Sequence, residues 1–268
     1  MSLLEDLLAD LRTEGDLLHA VVSGLDTDDW ATPTPAPGWS VATQVAHLVW
    51  TDEVATLSAR SAAGDADAQQ AWDALVTGAA ADPEGFVDAG AHEIAALAPP
   101  ALLARWGTAR DDLSRTLREV PAGTKMPWFG PPMSASSMAT ARFMETWAHS
   151  LDVHEALGRE PQVTDRVRHV VFLGVRTRDF AFATRGLTPP ADELRVQLTA
   201  PSGETWTFGP EDAAQSVTGS ALDLARLVTQ RVHRDDTDLV AVGSDADRWL
   251  DVAQCFAGPP GEGRQPRG

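Results

Sequence analysis

The chain has 268 residues, 43% of them hydrophobic and 22% charged, with a formal net charge of −18. That is a globular composition, long enough for one large domain or two ordinary ones, and its acidity argues against a nucleic-acid partner because it would repel a phosphate backbone. A single cysteine, Cys255, excludes an internal disulfide framework and any cysteine-only metal site within one chain.

No run approaches the roughly 18 apolar residues of a membrane span. The opening stretch MSLLEDLLADLRTEGDLL is acidic throughout, where a secretion signal has a basic start and an apolar core, so a cytoplasmic protein is expected. Lys125 is the only lysine and tyrosine is absent, a bias that points to a GC-rich genome.

In chain order, leucines at 3, 4, 7, 8, 11, 17 and 18 share one helical face and predict a first helix over 3–24. The alternating prolines of WATPTPAPGWS forbid helix and predict an extended connector. Ser40 is placed to cap a second helix running from Val41 to Arg60. Weaker helical segments follow over 66–82 and 84–98, broken near Pro83 and Gly85. Pro99 and Pro100 start a helix to Glu119, at positions where a missing N–H costs nothing. The segment from Pro121 to Pro132 has too many breakers to be regular, and a helix ending in ARFMETWAHSLDVHEALG follows it.

Beyond Gly158 the pattern stays helical over 164–184, then changes. LRVQLTA and TWTF, joined by PSGE, read as a hairpin. A helix over 220–231, a strand over 239–242 and a helix over 245–256 complete a mixed unit, and GPPGEGRQPRG reads as a disordered tail. The GSDAD stretch reads as a strand-to-helix turn capped by Ser244 or Asp245. The expected architecture is α+β with two domains: a helical bundle over 1–187 with a four-helix core, a small α/β domain over 188–258, and a tail over 259–268.

The candidate site begins on the helix that ends near Gly158. Residues four apart on a helix are neighbours, so Glu145 and His149 could grip one ion, with Asp152 one step further along. Small and apolar residues edge this stripe, and Phe143, Trp147 and Leu151 occupy the opposite side, so both sides look built for burial. Carboxylates on a buried face need a partner, and a divalent cation or an arginine would serve.

In GWSVATQVAHLVWTDEVATL, His47 shares a face with Thr43, Trp50, Thr51 and Val54, while Asp52 and Glu53 are expected to point away. One inward histidine on this helix and an inward Glu/His pair on the other can assemble three ligands, His47, Glu145 and His149. Two imidazoles and a carboxylate suit zinc, and are compatible with iron(II), nickel or manganese. Three protein ligands leave a coordination position open, which argues for catalysis over a structural site. His154, opposite these ligands, reads as structural, and Cys255 as a small core residue.

The stretches PAPGWSVATQVAHLV and FMETWAHSLDVHEALG resemble the N-terminal domain of mycothiol-dependent maleylpyruvate isomerases and the wider DinB-like bundle superfamily. GSALDLARLVTQRVHRDDTDLVAVGSDADRWLDVAQCFAGPPG resembles the C-terminal part of an actinobacterial, metal-binding branch. The resemblance implies that His47, Glu145 and His149 bind a divalent metal, usually zinc in the isomerases. It puts Asp152 where it would support the ligands from behind or touch the thiol cofactor. It matches Arg231, with Arg226 in reserve, to the arginine that the isomerases contribute from their C-terminal domain. The implied activity is that of a metal-dependent isomerase or thiol transferase, in which the thiolate of mycothiol adds to an electron-poor double bond of a small molecule and Arg231 holds a carboxylate or enolate oxygen. WFGPPMSASS and FAGPPG depart from the isomerases, so the maleylpyruvate substrate does not carry over.

Two other readings remain at this stage. One keeps the metal as a Lewis acid or hydroxide source for a thiol-independent hydrolase, lyase or cyclase; the other is a metal-binding module without turnover. A small-molecule partner, no membrane or nucleic-acid partner, and a monomer or homodimer are expected.

Overall fold

A computed structural model describes residues 2–83 and 85–267. The first unit runs from its start to Pro161 and is all helical. Its helices are α1 (Leu3–Val22), the short α2 (Thr27–Trp30), α3 (Val41–Ala62), α4 (Ala66–Ala81), α5 (Phe86–Ala95), α6 (Pro99–Glu119) and α7 (Ala135–Ala156). The long helices start where the sequence supplies a cap. Ser2, Ser40 and Ser134 each accept a hydrogen bond from a first-turn N–H of α1, α3 and α7, and Pro99 and Pro100 open α6. The short α2, not expected from the sequence, forms because the Asp26 carboxylate accepts from the N–H groups of Asp28 and Asp29, both at 3.0 Å.

Helices α1, α3, α6 and α7 make the four-helix core. Helix α3 packs on α6 and α7, α1 packs on α7, and α4 and α5 lie against α3. Leu18, Val22, Val45, Leu48, Val49, Leu102, Trp106 and Val153 fill one apolar cluster between them. Crowded on several sides, α3 and α7 have little solvated face left. Gln44, His47, Asp52 and Ser58 on α3, and Arg142, Thr146, His149 and Asp152 on α7, are therefore buried along with their apolar neighbours. Polar groups placed there must find partners inside the protein, which is the physical origin of the site described below.

The second unit begins at Gln162. It comprises a 3₁₀ turn (Asp165–Val167), α8 (Arg168–Arg176), α9 (Arg178–Thr184), β1 (Arg195–Thr199), β2 (Thr205–Phe208), β3 (Ser216–Ser220), α10 (Ala221–Val228), β4 (Val240–Val242) and α11 (Ser244–Val252), with a second 3₁₀ turn at Arg234–Asp236. The sheet order is β2-β1-β3-β4, with β1 antiparallel to β2, parallel to β3, and β3 antiparallel to β4. The β1–β2 hairpin and β4 match the sequence reading, and β3 is an addition. Cys255 is buried, its N–H donating to the Val228 carbonyl at 2.9 Å, as fits a small core residue.

The division between the units falls at Pro161/Gln162 rather than at 187, where the sequence reading put it. Helix α8 belongs with the sheet because it packs on α10. Gly174 permits the contact, since a Cβ there would come within 2.8 Å of the Val228 side chain. The single helix expected over 164–184 is interrupted at Thr177, whose hydroxyl lies within hydrogen-bond distance of the carbonyls of Leu173 (2.8 Å) and Gln254 (3.1 Å).

The turn before α11 is also capped differently from expectation. Gln215 Oε1 accepts from the N–H groups of Asp245 (2.7 Å) and Ala246 (3.3 Å), so neither Ser244 nor Asp245 is the cap. Gly243, at φ 99°, leaves the room that this amide needs. Residues 259–267 carry no helix or strand, and the Arg267 N–H donates to the Asp236 carboxylate at 2.9 Å. Among the described residues, no helix is long and apolar enough to cross a membrane.

Candidate metal centre

The packing of α3 on α7 brings His47, Glu145 and His149 together, with one donor atom from each lying within 4.8 Å of the other two. Both imidazoles converge on a single carboxylate oxygen. His47 Nε2 lies 3.4 Å from Glu145 Oε2, and His149 Nε2 lies 3.2 Å from the same atom. The histidine side chains are 9% and 11% exposed and that of Glu145 17%, so the trio sits just beneath the surface with the carboxylate most open.

A chain of hydrogen bonds fixes which nitrogen of His149 carries its proton. The Thr34 hydroxyl donates to the Trp39 carbonyl at 3.1 Å and so accepts from the Gln44 amide nitrogen at 2.8 Å. The Gln44 carbonyl oxygen is thereby turned towards His149 Nδ1 and accepts a short hydrogen bond from it. With Nδ1 protonated, a neutral His149 presents a lone pair at Nε2, facing the oxygen of Glu145. Two acceptors at that distance repel unless a positive charge stands between them, either a proton or a metal ion. The donor set and this facing pair fit a divalent cation.

Aromatic rings pack around the imidazoles. Trp39 stacks on His149 (centroids 5.8 Å apart, planes at 16°) and tilts over His47, and Trp50 also stacks on His47 at 6.3 Å. Trp50 continues into Phe86 and Phe129, and Phe129 into Trp72 and Trp128, so the WFGPP loop is part of an aromatic wall that reaches the site. Gly90 on α5 makes room for this wall, since a Cβ there would lie 2.5 Å from the Trp50 indole nitrogen.

Charge at the site is balanced from behind. Burial pushes Glu145 up, but the imidazoles of His149 and His47 beside it and the charge of Arg142 outweigh that and hold it well below the usual carboxylate range. Arg142 Nη2 lies 3.4 Å from Glu145 Oε1, the oxygen turned away from the imidazoles. Asp52 behaves in the opposite way. Glu53 lies at the surface and pairs with Arg105 at 2.7 Å, whereas Asp52 is only 4% exposed, and burial raises it to about 7 against the opposing charges of Arg142 and Arg110.

Three of the five sequence-derived site residues are thus neighbours. Asp152 is buried on α7, one turn beyond His149 and outside the three-residue cluster. Arg231 lies in the second unit, just after Gln230, whose φ of +59° ends α10, and its Nη1 donates to the Thr229 carbonyl at 2.6 Å. His154 is buried, with Nδ1 bonded to the Ser150 carbonyl at 2.7 Å, in keeping with a structural role. Sequence reasoning missed Gln44 and Arg142. Each lies three residues before a member of the cluster, Gln44 before His47 and Arg142 before Glu145, and that spacing was the available signal.

If the Gln44 amide sets the His149 tautomer, Gln44→Leu should weaken divalent-metal binding by about 10–100-fold without unfolding the bundle. Competition with a chromophoric chelator measures it, and an unchanged affinity would remove Gln44 from the account.

Comparison with known proteins adds a second line of information. The family described as "Mycothiol maleylpyruvate isomerase N-terminal domain" matches residues 11–154. Two proteins of Mycobacterium tuberculosis, from strains CDC 1551 / Oshkosh and ATCC 25618 / H37Rv and both named as uncharacterized, are each 56% identical over 257 residues, covering 96% of this chain and 97% of theirs. Two crystal structures of the mycothiol-dependent maleylpyruvate isomerase, one of a histidine-to-alanine mutant, share the fold. Their TM-scores are 0.57 and 0.56 at 16% and 17% identity, covering 89% of this chain and 92% of theirs.

Proposed function

The chain belongs to the mycothiol maleylpyruvate isomerase N-terminal domain family, and from that premise we propose that it is a divalent-metal-dependent enzyme, an isomerase or thiol transferase acting on an electron-poor small molecule. The observation that carries the metal is the convergence of His47, Glu145 and His149, with donor atoms all within 4.8 Å of one another, together with the facing pair of His149 Nε2 and Glu145 Oε2, two acceptors that repel unless a proton or a metal ion stands between them. His47, Glu145 and His149 are its protein ligands. Zinc suits this donor set, with iron(II), nickel or manganese as compatible alternatives. When bound, the ion would supply positive charge that favours the deprotonated form of a thiol such as that of mycothiol.

The protein's own groups define the rest. Glu145, kept ionised by its neighbours, offers a charged ligand across the neutral pH range. Gln44 holds His149 in the tautomer that presents Nε2, and Trp39 and Trp50 shield the imidazole faces from water. The aromatic wall suits a substrate with apolar surface. We assign Asp152 to cofactor contact or ligand support, and Arg231 both to binding of the thiol cofactor and to a carboxylate or developing enolate oxygen, roles that follow the family pattern.

Calorimetric titration of mycothiol into the zinc-loaded chain tests the thiol. Binding is expected for the natural sequence and should be weakened about tenfold or more in Arg231→Ala, as follows loss of a charged hydrogen bond, with zinc content unchanged. Absence of binding to the natural, zinc-loaded chain would remove mycothiol from the proposal. Equal binding by both proteins would remove Arg231.

A further inference from the structure

Arg142 is the most deeply buried cation beside the site, with a side chain only 2% exposed. Its guanidinium lies over the Trp128 ring at 5.3 Å and approaches one carboxylate, Glu145, through Nη2. Among the described residues Nε and Nη1 have no hydrogen-bond partner. A guanidinium cannot shed its charge, and burying it with a single ion pair and two unsatisfied nitrogens is expensive. An apolar side chain of similar length would fill the same space at lower cost. Packing therefore does not account for an arginine at this position.

The division of labour between the two oxygens of Glu145 does. Oε2 meets both imidazoles, while Oε1 faces Arg142. Left alone, a carboxylate can turn both oxygens towards a cation. A fixed positive charge on Oε1 holds the plane of the group and leaves Oε2 alone to the metal. Trp128 favours this arrangement, because its π-face attracts the guanidinium without offering a competing acceptor.

We infer that Arg142 is a positioning residue that makes Glu145 a one-oxygen ligand, doing for the carboxylate what Gln44 does for His149. The inference rests on the metal-centre reading above, and the experiment separates the two.

Cobalt(II) is the probe, because its visible absorption reports the ligand field directly. Arg142→Met and Arg142→Gln are compared with the natural sequence by Co(II) titration, with circular dichroism to confirm folding. The natural chain is expected to bind Co(II) stoichiometrically. Each folded variant should bind about 10–100-fold more weakly and show an altered visible band at saturation. A purely structural Arg142 would lower thermal stability while leaving the saturated band unchanged. That result, or unchanged affinity, in either folded variant overturns the inference. Failure of the natural chain itself to bind Co(II) would overturn the metal-centre reading on which it depends.

Discussion

Alanine at His149, or at His47, is expected to abolish stoichiometric divalent-metal binding while the bundle stays folded. Each change removes one of the three proposed ligands, and two remaining ligands would hold a divalent ion poorly in competition with water. The loss should exceed the roughly 10–100-fold effect of removing a supporting residue such as Gln44. Folding should survive because both imidazoles sit just beneath the surface, with side chains 9% and 11% exposed, rather than among the fully buried Leu48, Leu102 and Trp106. His149→Ala additionally leaves the Gln44 carbonyl without its acceptor role, so it should cost more stability than His47→Ala. Elemental analysis of the purified variants, with circular dichroism as the folding control, measures both effects. Full metal occupancy in either variant would displace that histidine from the ligand set.

Asp52→Asn is expected to make the metal-free protein more stable at pH 8 while changing little near pH 4. Burial raises the folded-state value of Asp52 to about 7, helped by the charges of Glu145 and Glu53 and opposed by Arg142 and Arg110. Between its ordinary value of 3.8 and about 7, the folded protein therefore binds a proton that the unfolded chain has released. Stability falls with rising pH wherever the folded state binds more protons, so this carboxyl favours the fold in acid and penalises it progressively up to neutrality. Above pH 7 the whole penalty is present, on the order of a few kcal/mol. An amide of the same shape carries no such charge. Urea unfolding from pH 4 to 8 in the presence of a chelator should show the two stability curves diverging as pH rises. Parallel curves would mean that Asp52 is ionised in the fold throughout.

The clustering of His47, Glu145 and His149 was legible in the sequence because its signal is local. Glu145 and His149 stand one turn apart between small and apolar residues, and His47 lies on an apolar face of its own helix, so inward placement followed from helical geometry. Asp52 was misread by the same rule. A periodicity argument assumes that a helix has a wet side, and α3, packed against α4, α5, α6 and α7, has little of one. The role of Gln44 appears only when α3 meets α7, while Arg142 stands one turn before Glu145 on the same helix but does not mark a site by its residue type alone.

The fold shows the same contrast. Helix starts marked by Ser40 or Pro99, and the alternating hairpin, were readable from short stretches. Strand β3, with the sequence SVTGS, has one valine and a glycine, and is a strand because β1 and β4 pair with it on either side. The place of α8 in the second unit likewise depends on a distant residue, Val228, fitting over Gly174.

The central claim, that His47, Glu145 and His149 hold a divalent cation, is tested most directly by diffraction from crystals of the zinc-loaded chain at the zinc absorption edge. The account predicts an anomalous peak within bonding distance of His47 Nε2, Glu145 Oε2 and His149 Nε2, with Gln44 still accepting from His149 Nδ1. A zinc-loaded bundle whose anomalous signal lies elsewhere, with the two histidines bonded only to Glu145, would contradict it.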